Sequence, residues 1–431
     1  MPRTENRTKK SEERLLPAAP IHMRFAFILA LFLSVFLSGC FDTQGPSSPT
    51  IPSNSPNTAA PFLNAQGANV MSVQVGGTSL CGTYGYLNEP CVTVTVCVPG
   101  TNTCQTISDI LLDTGSTGLR VFSSVLNLSL PPIKDSSGNT IAQCAQFGTG
   151  SDWGSLASAD VVLGNEPAAT VPIQLIDKNL AGIPSQCQQA DIDPRSAGYN
   201  GILGLGLFKE DCGLACEQDS TLQIYYSCTS STCTSTTVQK SQQLQNPIPS
   251  LPTDNNGLIV ALPAIDPQGV SSASGVVILG IGTNTNNSVK NMTAFSADDI
   301  GNFFTSFNNQ ILDGSFIDSG SNGLFFPNLT SIANCDGSIM SSDFYCPPST
   351  LTLSAIPVSS DGKSALSVSF NIANADTLVS NNTSALAFAN FGGSGSSNSF
   401  DWGLPFFFGR AVAIGVENTS SSLGTGSYWA F

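Results

Sequence analysis

The sequence contains one ten-residue segment twice. Residues 110–119 read ILLDTGSTGL and residues 315–324 read SFIDSGSNGL, so that their acidic residues, Asp113 and Asp318, lie 205 positions apart. Each Asp follows a run of apolar or small residues that favours a buried strand, and a Gly two positions later permits a tight turn. The repetition predicts two copies of one structural unit, each presenting a carboxylate on a short loop.

The rest of the sequence favours short strands over long helices. Gly (40 residues) and Pro (26) are frequent and only 10% of residues are charged, which suits strands joined by tight turns. Apolar residues alternate with other types in CVTVTVCVPG (91–100), and again from Leu366 to Ile372 after the turn SSDG. No segment has a sustained helical period, so we predict an all-β protein, and 431 residues allow two domains.

A second spacing supports the duplication. Gly204, in the apolar run GILGLG, lies 91 residues after Asp113, and Gly409, at the end of PFFFG, lies 91 residues after Asp318. This equal spacing predicts that the two glycines occupy equivalent places in two related lobes.

The N-terminal region has the features of an export signal. From Met23, the expected true start, it reads MRFAFILALFLSVFLSGC, with a largely apolar run over residues 25–37. These thirteen residues are fewer than the roughly 20 that a membrane-spanning helix needs. The ending LSGC resembles a bacterial lipoprotein signal, which implies that Cys40 is lipidated. An ordinary signal peptide and an uncleaved anchor are the alternatives.

We therefore expect a signal region over residues 1–39, followed by the lipidated Cys40 and a Ser/Pro-rich tether over residues 40–62. The expected location is the bacterial cell envelope. Phe41 rather than Asp after the Cys favours the outer membrane over the inner one.

Charge and histidine content exclude several function classes. Residues 1–39 hold six of the 15 Lys and Arg and three of the 30 Asp and Glu, which leaves 9 basic and 27 acidic residues and a net charge of −18. Nucleic acid is therefore not an expected partner. The single histidine, His22, also lies there, which excludes Ser-His-Asp and Cys-His nucleophiles and most catalytic zinc sites. Carboxylate chemistry, a cofactor or no chemistry remains.

The cysteines indicate disulfides. Assigning Cys40 to the lipid leaves twelve of the 13, an even number that an exported chain usually oxidises. Three pairs have hairpin spacing: Cys97 and Cys104, Cys228 and Cys233, and Cys335 and Cys346. The competing interpretation is a zinc site formed by Cys212, Cys216, Cys228 and Cys233, but we expect no metal.

The repeated motif suits two carboxyls that share one proton. Facing loops would bring Asp113 and Asp318 within hydrogen-bond distance, and two carboxylates so close cannot both ionise. One can then deprotonate a water while the other polarises an amide carbonyl, which allows hydrolysis without histidine. The motifs add candidate supporting residues in pairs: Gly115 and Gly320 for the turn, Ser116 and Ser321 as donors to a carboxylate, and Thr114 and Ser319 as hydroxyls that bond the opposite loop.

These motifs together resemble the pepsin-like, bilobal aspartic peptidases, from about residue 69 to the end of the chain. Besides the two Asp motifs, the likeness rests on QFGTGSDWGSLASADVVLGN (146–165), similar to the family's flap hairpin, and on YNGILGLG (199–206), SGVVILGIG (274–282) and DWGLPFFFGR (401–410). The resemblance implies an all-β, bilobal fold with an N-terminal lobe over 63–250 and a C-terminal lobe over 251–431.

The resemblance also implies site residues. Asp113 and Asp318 would be catalytic, and Phe147, Gly148 and Thr149 in the flap would bind substrate. Phe147 stands where the family usually has a Tyr, and Arg120 where it has a Trp that bonds this Tyr.

The function that follows is an aspartic endopeptidase that acts on a peptide or protein substrate with a water activated by two Asp. We expect a monomer without cofactor, in contact with the membrane through its lipid anchor. The alternative is a catalytically inactive pepsin-like binding lipoprotein, because a fold does not determine an activity.

Overall fold

The computed structural model of the chain describes residues 58–77, 81–82, 84–148, 150–180, 182–328 and 331–431. The predicted signal region, Cys40, most of the predicted tether and Thr149 lie outside these residues. Within the described ranges, none of the helices is both long and apolar enough to cross a membrane.

Strands dominate the described residues, and the α-helices have only four to seven residues. The all-β prediction is confirmed. The strands are β1 (Val70–Gly76), β2 (Pro90–Cys97), β3 (Cys104–Asp113), β4 (Thr117–Phe122), β5 (Thr140–Gln146), β6 (Ser151–Val162), β7 (Ala169–Ile176), β8 (Gly201–Leu205), β9 (Tyr225–Cys228), β10 (Cys233–Ser235), β11 (Gly257–Ala261), β12 (Ser272–Leu279), β13 (Ala294–Ser296), β14 (Phe303–Phe307), β15 (Gln310–Ile317), β16 (Leu324–Phe326), β17 (Leu351–Val358), β18 (Val368–Ile372), β19 (Gly392–Ser394), β20 (Asp401–Trp402), β21 (Ala411–Gly415), β22 (Ser420–Ser421), β23 (Gly424–Thr425) and β24 (Tyr428–Ala430).

The helices are brief connections between strands. The α-helices are α1 (Pro194–Ala197), α2 (Leu214–Gln218) and α3 (Ala375–Asn381). Single 3₁₀ turns cover Ser123–Val125, Ser185–Cys187, Ser220–Leu222, Lys240–Gln242, Ile248–Ser250, Thr285–Asn287 and Leu404–Phe406.

The predicted alternation is seen in the strands. Val92, Val94 and Val96 of β2 are all buried, and so are Val368 and Ile372 of β18. Residues two apart in a strand face the same side, so each alternating run directs its apolar residues into the core.

Most strands belong to one 15-stranded sheet, in the order β10-β9-β5-β6-β7-β4-β8-β3-β2-β1-β12-β11-β21-β24-β13. A further pairing of β6 with β2 closes six of these strands into a barrel. A seven-stranded sheet has the order β18-β17-β14-β15-β20-β16-β19, and β22 pairs with β23. The larger sheet takes strands from both sides of residue 250, and the two predicted lobes remain a prediction.

The strands next to each Asp form the same arrangement twice. In the first half, β8 pairs in parallel with β3 and antiparallel with β4. In the second half, β20 pairs in parallel with β15 and antiparallel with β16. Each Asp therefore stands at the end of a strand, as the repeated motif predicted, and in both halves that strand has a parallel partner.

The register of these strands corrects the predicted place of Gly409. Asp113 lies opposite Gly204 in the first half. In the second half Ile317 lies opposite Trp402, and the amide of Asp318 donates to the Trp402 carbonyl at 3.1 Å. The residue equivalent to Gly204 is thus Gly403, because the second half reaches its parallel strand six residues earlier than equal spacing implies.

The core around the second Asp is aromatic. Phe400 and Trp402 stack with ring centroids 4.1 Å apart, and Phe400 also stacks on Phe326 at 5.0 Å. On the strands next to the first Asp, the aliphatic residues Leu112, Leu119 and Leu203 are buried. Close packing of buried side chains holds the strands that carry each carboxyl in place.

The described cysteines form six disulfides. They join Cys81 to Cys91, Cys97 to Cys104, Cys144 to Cys187, Cys212 to Cys216, Cys228 to Cys233 and Cys335 to Cys346. The three hairpin pairs are confirmed, and the zinc alternative is wrong, because its four cysteines are bonded to one another in two pairs.

Candidate functional site

The two Asp loops hold each other through reciprocal hydrogen bonds. The Thr114 amide donates to Ser319 Oγ at 3.1 Å, and the Ser319 amide donates to Thr114 Oγ1 at 2.9 Å. Each hydroxyl also donates onward to a backbone carbonyl in the opposite half, Thr114 to Ile317 at 3.1 Å and Ser319 to Leu112 at 2.7 Å. The hydroxyls therefore bond the opposite loop as predicted, and all four groups are satisfied although buried.

The same loops bring the two carboxyls together. The carboxyl of Asp318 lies close to that of Asp113, since a Cβ added at Gly320 would be 2.9 Å from Asp113 Oδ1 and 3.1 Å from Asp318 Oδ1. The Gly115 amide donates to Asp113 Oδ1 at 2.8 Å, and the Gly320 amide donates to Asp318 Oδ1 at 2.7 Å. Sequence reasoning thus placed these four residues correctly in one cluster.

Both glycines are required by the space that the opposite carboxyl fills. A Cβ at Gly115 would lie 2.6 Å from Asp318 Cγ, and one at Gly320 would lie 2.9 Å from Asp113 Oδ1. A larger residue at Gly115 or Gly320 would push the carboxyls apart. This explains why both motifs have Gly at this position.

The two motif serines differ from each other. Ser321 Oγ lies 2.9 Å from Asp318 Oδ2, in the role predicted for it. The equivalent Ser116 Oγ is buried and has no hydrogen-bond partner in the described part of the protein. It lies beside Gly204, where a Cβ would come within 2.7 Å of it. The predicted bond from Ser116 to a carboxylate is therefore wrong.

Sequence reasoning missed a third carboxyl, that of Asp401. Its Oδ2 lies 2.6 Å from Ser321 Oγ, and its Oδ1 is buried without a partner among the described residues. Aligning the halves on Gly204 and Gly403 places Asp401 where the first half has Ile202. That alignment would have revealed Asp401 as a candidate site residue, because it places a carboxylate where the other half has the apolar Ile202.

Burial and mutual repulsion raise the pKa values in this cluster. Burial raises the pKa of Asp318 well above its ordinary value, and the charges of Asp113 and Asp401 raise it further. Burial also raises the pKa of Asp401 to about 8, although its contact with Ser321 acts in the opposite direction. The three carboxyls therefore carry fewer than three negative charges at neutral pH.

A cleft of about 690 Å³ lies over the carboxyl pair. One wall comes from the first half and includes Tyr86, Leu111, Tyr199 and Ile202, and the other includes Phe325 and Phe344 from the second half. The cleft has the size of a pocket for an organic ligand, and its lining combines these apolar side chains with the carboxyl pair and with charged residues such as Asp191, Arg195 and Asp343.

The hairpin predicted as a flap borders this cleft. Strands β5 and β6 pair along their length, and the Phe147 amide donates to the Gly150 carbonyl at 2.8 Å to close the turn. Phe147 and Gly148 both line the cleft. Thr149, the third predicted flap residue, lies outside the described residues.

Arg120 contacts the flap from below. Its Cζ lies 5.4 Å from the centroid of the Phe147 ring, within the range of a cation–π contact, and its Nη1 donates to the Thr117 carbonyl at 3.0 Å. Burial raises the pKa of Asp152 to about 7 and that of Asp211 to about 6, and the charge of Arg120 partly offsets both increases.

A second cavity, of about 630 Å³, is lined by Asn, Thr and two acidic residues, Glu166 and Asp254. Asp254 accepts hydrogen bonds from Thr283 and from the Asn284 amide group, and Glu166 accepts one from Thr253. Because local hydrogen bonds already use these carboxylates, we place the candidate site at the carboxyl pair.

Two clusters of the described residues bring metal-ligating types together. One contains Glu89 and Asp109 beside the Cys81–Cys91 disulfide, and the other contains Asp376 beside the Cys335–Cys346 disulfide. A disulfide sulfur is not the thiolate that a metal prefers, so neither cluster suits a metal in its oxidised form.

Comparison with known proteins places the chain in one family. No curated protein matches it. Residues 65–431 match the family described as "Protein of unknown function (DUF3443)". The match includes both Asp loops, the flap hairpin and Asp401. Since it covers well over half of the sequence, the chain belongs to the DUF3443 family.

Proposed function

We propose that this protein is an aspartic endopeptidase, which hydrolyses peptide bonds with a water molecule activated by Asp113 and Asp318. One observation carries the proposal. Two loops bonded reciprocally through Thr114 and Ser319 hold two carboxyls close together in the lining of one cleft. Such a pair shares a proton, so that one member is an acid while the other is a base.

The reaction follows from this shared proton. The ionised carboxyl takes a proton from the water, whose oxygen bonds to the scissile carbonyl carbon. The protonated carboxyl donates to the carbonyl oxygen. Collapse of the tetrahedral intermediate breaks the C–N bond, and the proton taken from water passes to the leaving amine. The shared proton belongs to the pair as a whole, because two carboxyls this close titrate together.

The substrate would bind in extended form beneath the flap. Backbone groups around Gly148 and Thr149 would pair with it as a neighbouring strand does, and Phe147 would contact its side chains. The duplicated strand arrangement around Asp113 and Asp318 supports a bilobal pepsin-like fold, with lobes over 63–250 and 251–431.

The proposal includes export. Cys40 would carry the lipid anchor, with the enzyme held as a monomer in the bacterial envelope, at the outer membrane rather than the inner one. A Cys40→Ser variant should be released or unprocessed. Wild-type protein recovered in solution with an N-terminus free of acyl groups would contradict this part of the proposal without affecting the peptidase.

The activity is tested with purified protein and an unfolded protein substrate, from strongly acidic to neutral pH. We expect cleavage under acidic conditions, where one carboxyl is protonated and the other ionised. A peptide mimic carrying a hydroxyl in place of the scissile carbonyl should block it, because that hydroxyl would occupy the site of the water. Absence of cleavage across this pH range and across varied substrates would favour the inactive binding lipoprotein instead.

A further inference from the structure

Ser321 lies between two carboxyls, although its hydroxyl has only one hydrogen to donate. Its Oγ is 2.9 Å from Asp318 Oδ2 and 2.6 Å from Asp401 Oδ2. If both contacts are hydrogen bonds, Ser321 donates to one carboxyl and accepts from the other, which must then be protonated.

The surroundings decide which carboxyl donates. Asp318 has a donor for each oxygen, with the Gly320 amide at Oδ1 and the Ser321 hydroxyl at Oδ2. Asp401 Oδ1 is buried and unpartnered among the described residues. An ionised Asp401 would therefore leave charge on an oxygen with no donor, which is unfavourable.

From this geometry we propose that Asp401 is a third, proton-holding carboxyl of the site. Its Oδ2–H donates to Ser321 Oγ, which directs the Ser321 hydroxyl to Asp318 Oδ2. Asp401 is a positioning residue, since Ser321 lines the cleft whereas Asp401 lies outside the lining. The inference rests on the proposed peptidase function and deepens it.

The arrangement is present on one side only. In the first half Ile202 replaces Asp401, and Ser116 Oγ has no partner in the described structure. Asp113 therefore lacks the second hydroxyl contact that Asp318 has. The chain Asp401–Ser321–Asp318 makes the two central carboxyls chemically unequal, as an acid–base pair requires.

The hydrogen bonds that link Asp401, Ser321 and Asp318 also set an upper pH limit for activity. When Asp401 loses its proton, the Ser321 hydroxyl is drawn to the new charge and Asp318 loses its donor. The raised pKa of Asp401, about 8, places this loss above neutral pH. Among charged groups, Asp113 raises this pKa, and Asp318 is linked to it through Ser321. The residues opposite Asp401 on β15 and β16 are the uncharged Phe316 and Phe325.

Two substitutions at Asp401 distinguish the effect of its proton from the effect of its side-chain shape. Asp401→Asn keeps a donor for Ser321 and cannot ionise. We expect it to keep kcat within about threefold of wild type at acidic pH and to retain only the alkaline decline that the Asp113–Asp318 pair itself causes. Asp401→Leu removes the donor and should lower kcat roughly tenfold with little change in KM, the effect of one lost hydrogen bond. If the Leu variant does not fold, Ser321→Ala breaks the same chain.

An alkaline decline that is the same in Asp401→Asn as in wild type would overturn the inference. A second measurement needs no catalysis, so that it stays informative if the peptidase proposal fails. Because the folded-state pKa of Asp401 is raised, this carboxyl makes wild type lose stability as pH rises toward 8, and Asp401→Asn lacks that one contribution. The melting temperature of the variant relative to wild type should therefore increase between pH 5 and 8. A constant difference would mean that Asp401 holds no proton in this range, and would also overturn the inference.

Discussion

Thr114 and Ser319, 205 residues apart, exchange hydrogen bonds between backbone and side chain. Ser319 Oγ accepts one from the Thr114 amide at 3.1 Å, and Thr114 Oγ1 accepts one from the Ser319 amide at 2.9 Å. Both residues are buried, so each hydroxyl satisfies a donor that water does not reach. This exchange fixes the distance between the loops that carry Asp113 and Asp318.

Removing either hydroxyl should therefore destabilise the protein. Thr114→Val and Ser319→Ala each leave a buried amide unpaired, and we expect each to lower the free energy of unfolding by about 1–3 kcal/mol in urea denaturation. Thr106→Val is the control, because the Thr106 hydroxyl bonds Thr95 on the exposed side of the same sheet. If Thr106→Val lowered the free energy of unfolding as much as Thr114→Val, the buried Thr114–Ser319 pair would have no special role in stability.

The two motif serines should respond differently to the same substitution. Ser116→Ala removes a buried hydroxyl without a partner in the described structure, so stability and activity should stay near wild type. Ser321→Ala removes the donor to Asp318 and should reduce kcat. Equal losses in both variants would contradict the asymmetry between the two halves.

The protein should lose stability as pH rises from 5 to 7. Burial raises the pKa of Asp152 to about 7 and that of Glu89 to about 9, whereas both groups titrate near 4 when unfolded. In this range the folded state holds protons that the unfolded state releases, at about 1.4 kcal/mol per pH unit for each proton. Carboxyls with a lowered pKa, such as Asp361 beside Lys363, are exposed, and solvent screens their opposing effect.

Urea denaturation at several pH values measures this slope, and Asp152→Asn is the matched variant. It cannot ionise, so the decline between pH 5 and 7 should become shallower. A wild-type protein that gains stability over this range would show that these carboxyls are not protonated in the folded state.

Each disulfide should stabilise the protein more strongly the longer the chain segment that it encloses. The Cys144–Cys187 bond spans 43 residues and the Cys212–Cys216 bond spans 4. Chain entropy predicts losses of roughly 4 and roughly 2 kcal/mol when each pair is replaced by Ala. Thermal melts of the two double variants make the comparison, and a larger loss for the short loop would contradict this explanation.

Features of the structure that depend on local sequence patterns could be predicted from the sequence. Alternating valines gave the buried face of β2, and the repeated motif gave the position of each Asp at the end of a strand. The place of Gly403 could not be read, because spacing alone does not reveal that the connection in the second half is shorter. Asp401 was missed for the same reason, and the unpaired state of Ser116 depends on tertiary neighbours.

The most direct test of the central claim is kcat/KM on one peptide substrate, measured from pH 2.5 to 8 for wild type, Asp113→Asn and Asp318→Asn. Asp343→Asn is the control, since Asp343 lines the cleft but is not one of the paired carboxyls. We expect a bell-shaped profile for wild type and the control, and losses of at least about 10³-fold in both dyad variants at every pH. Cleavage that survives either dyad substitution within tenfold of wild type would contradict hydrolysis by Asp113 and Asp318.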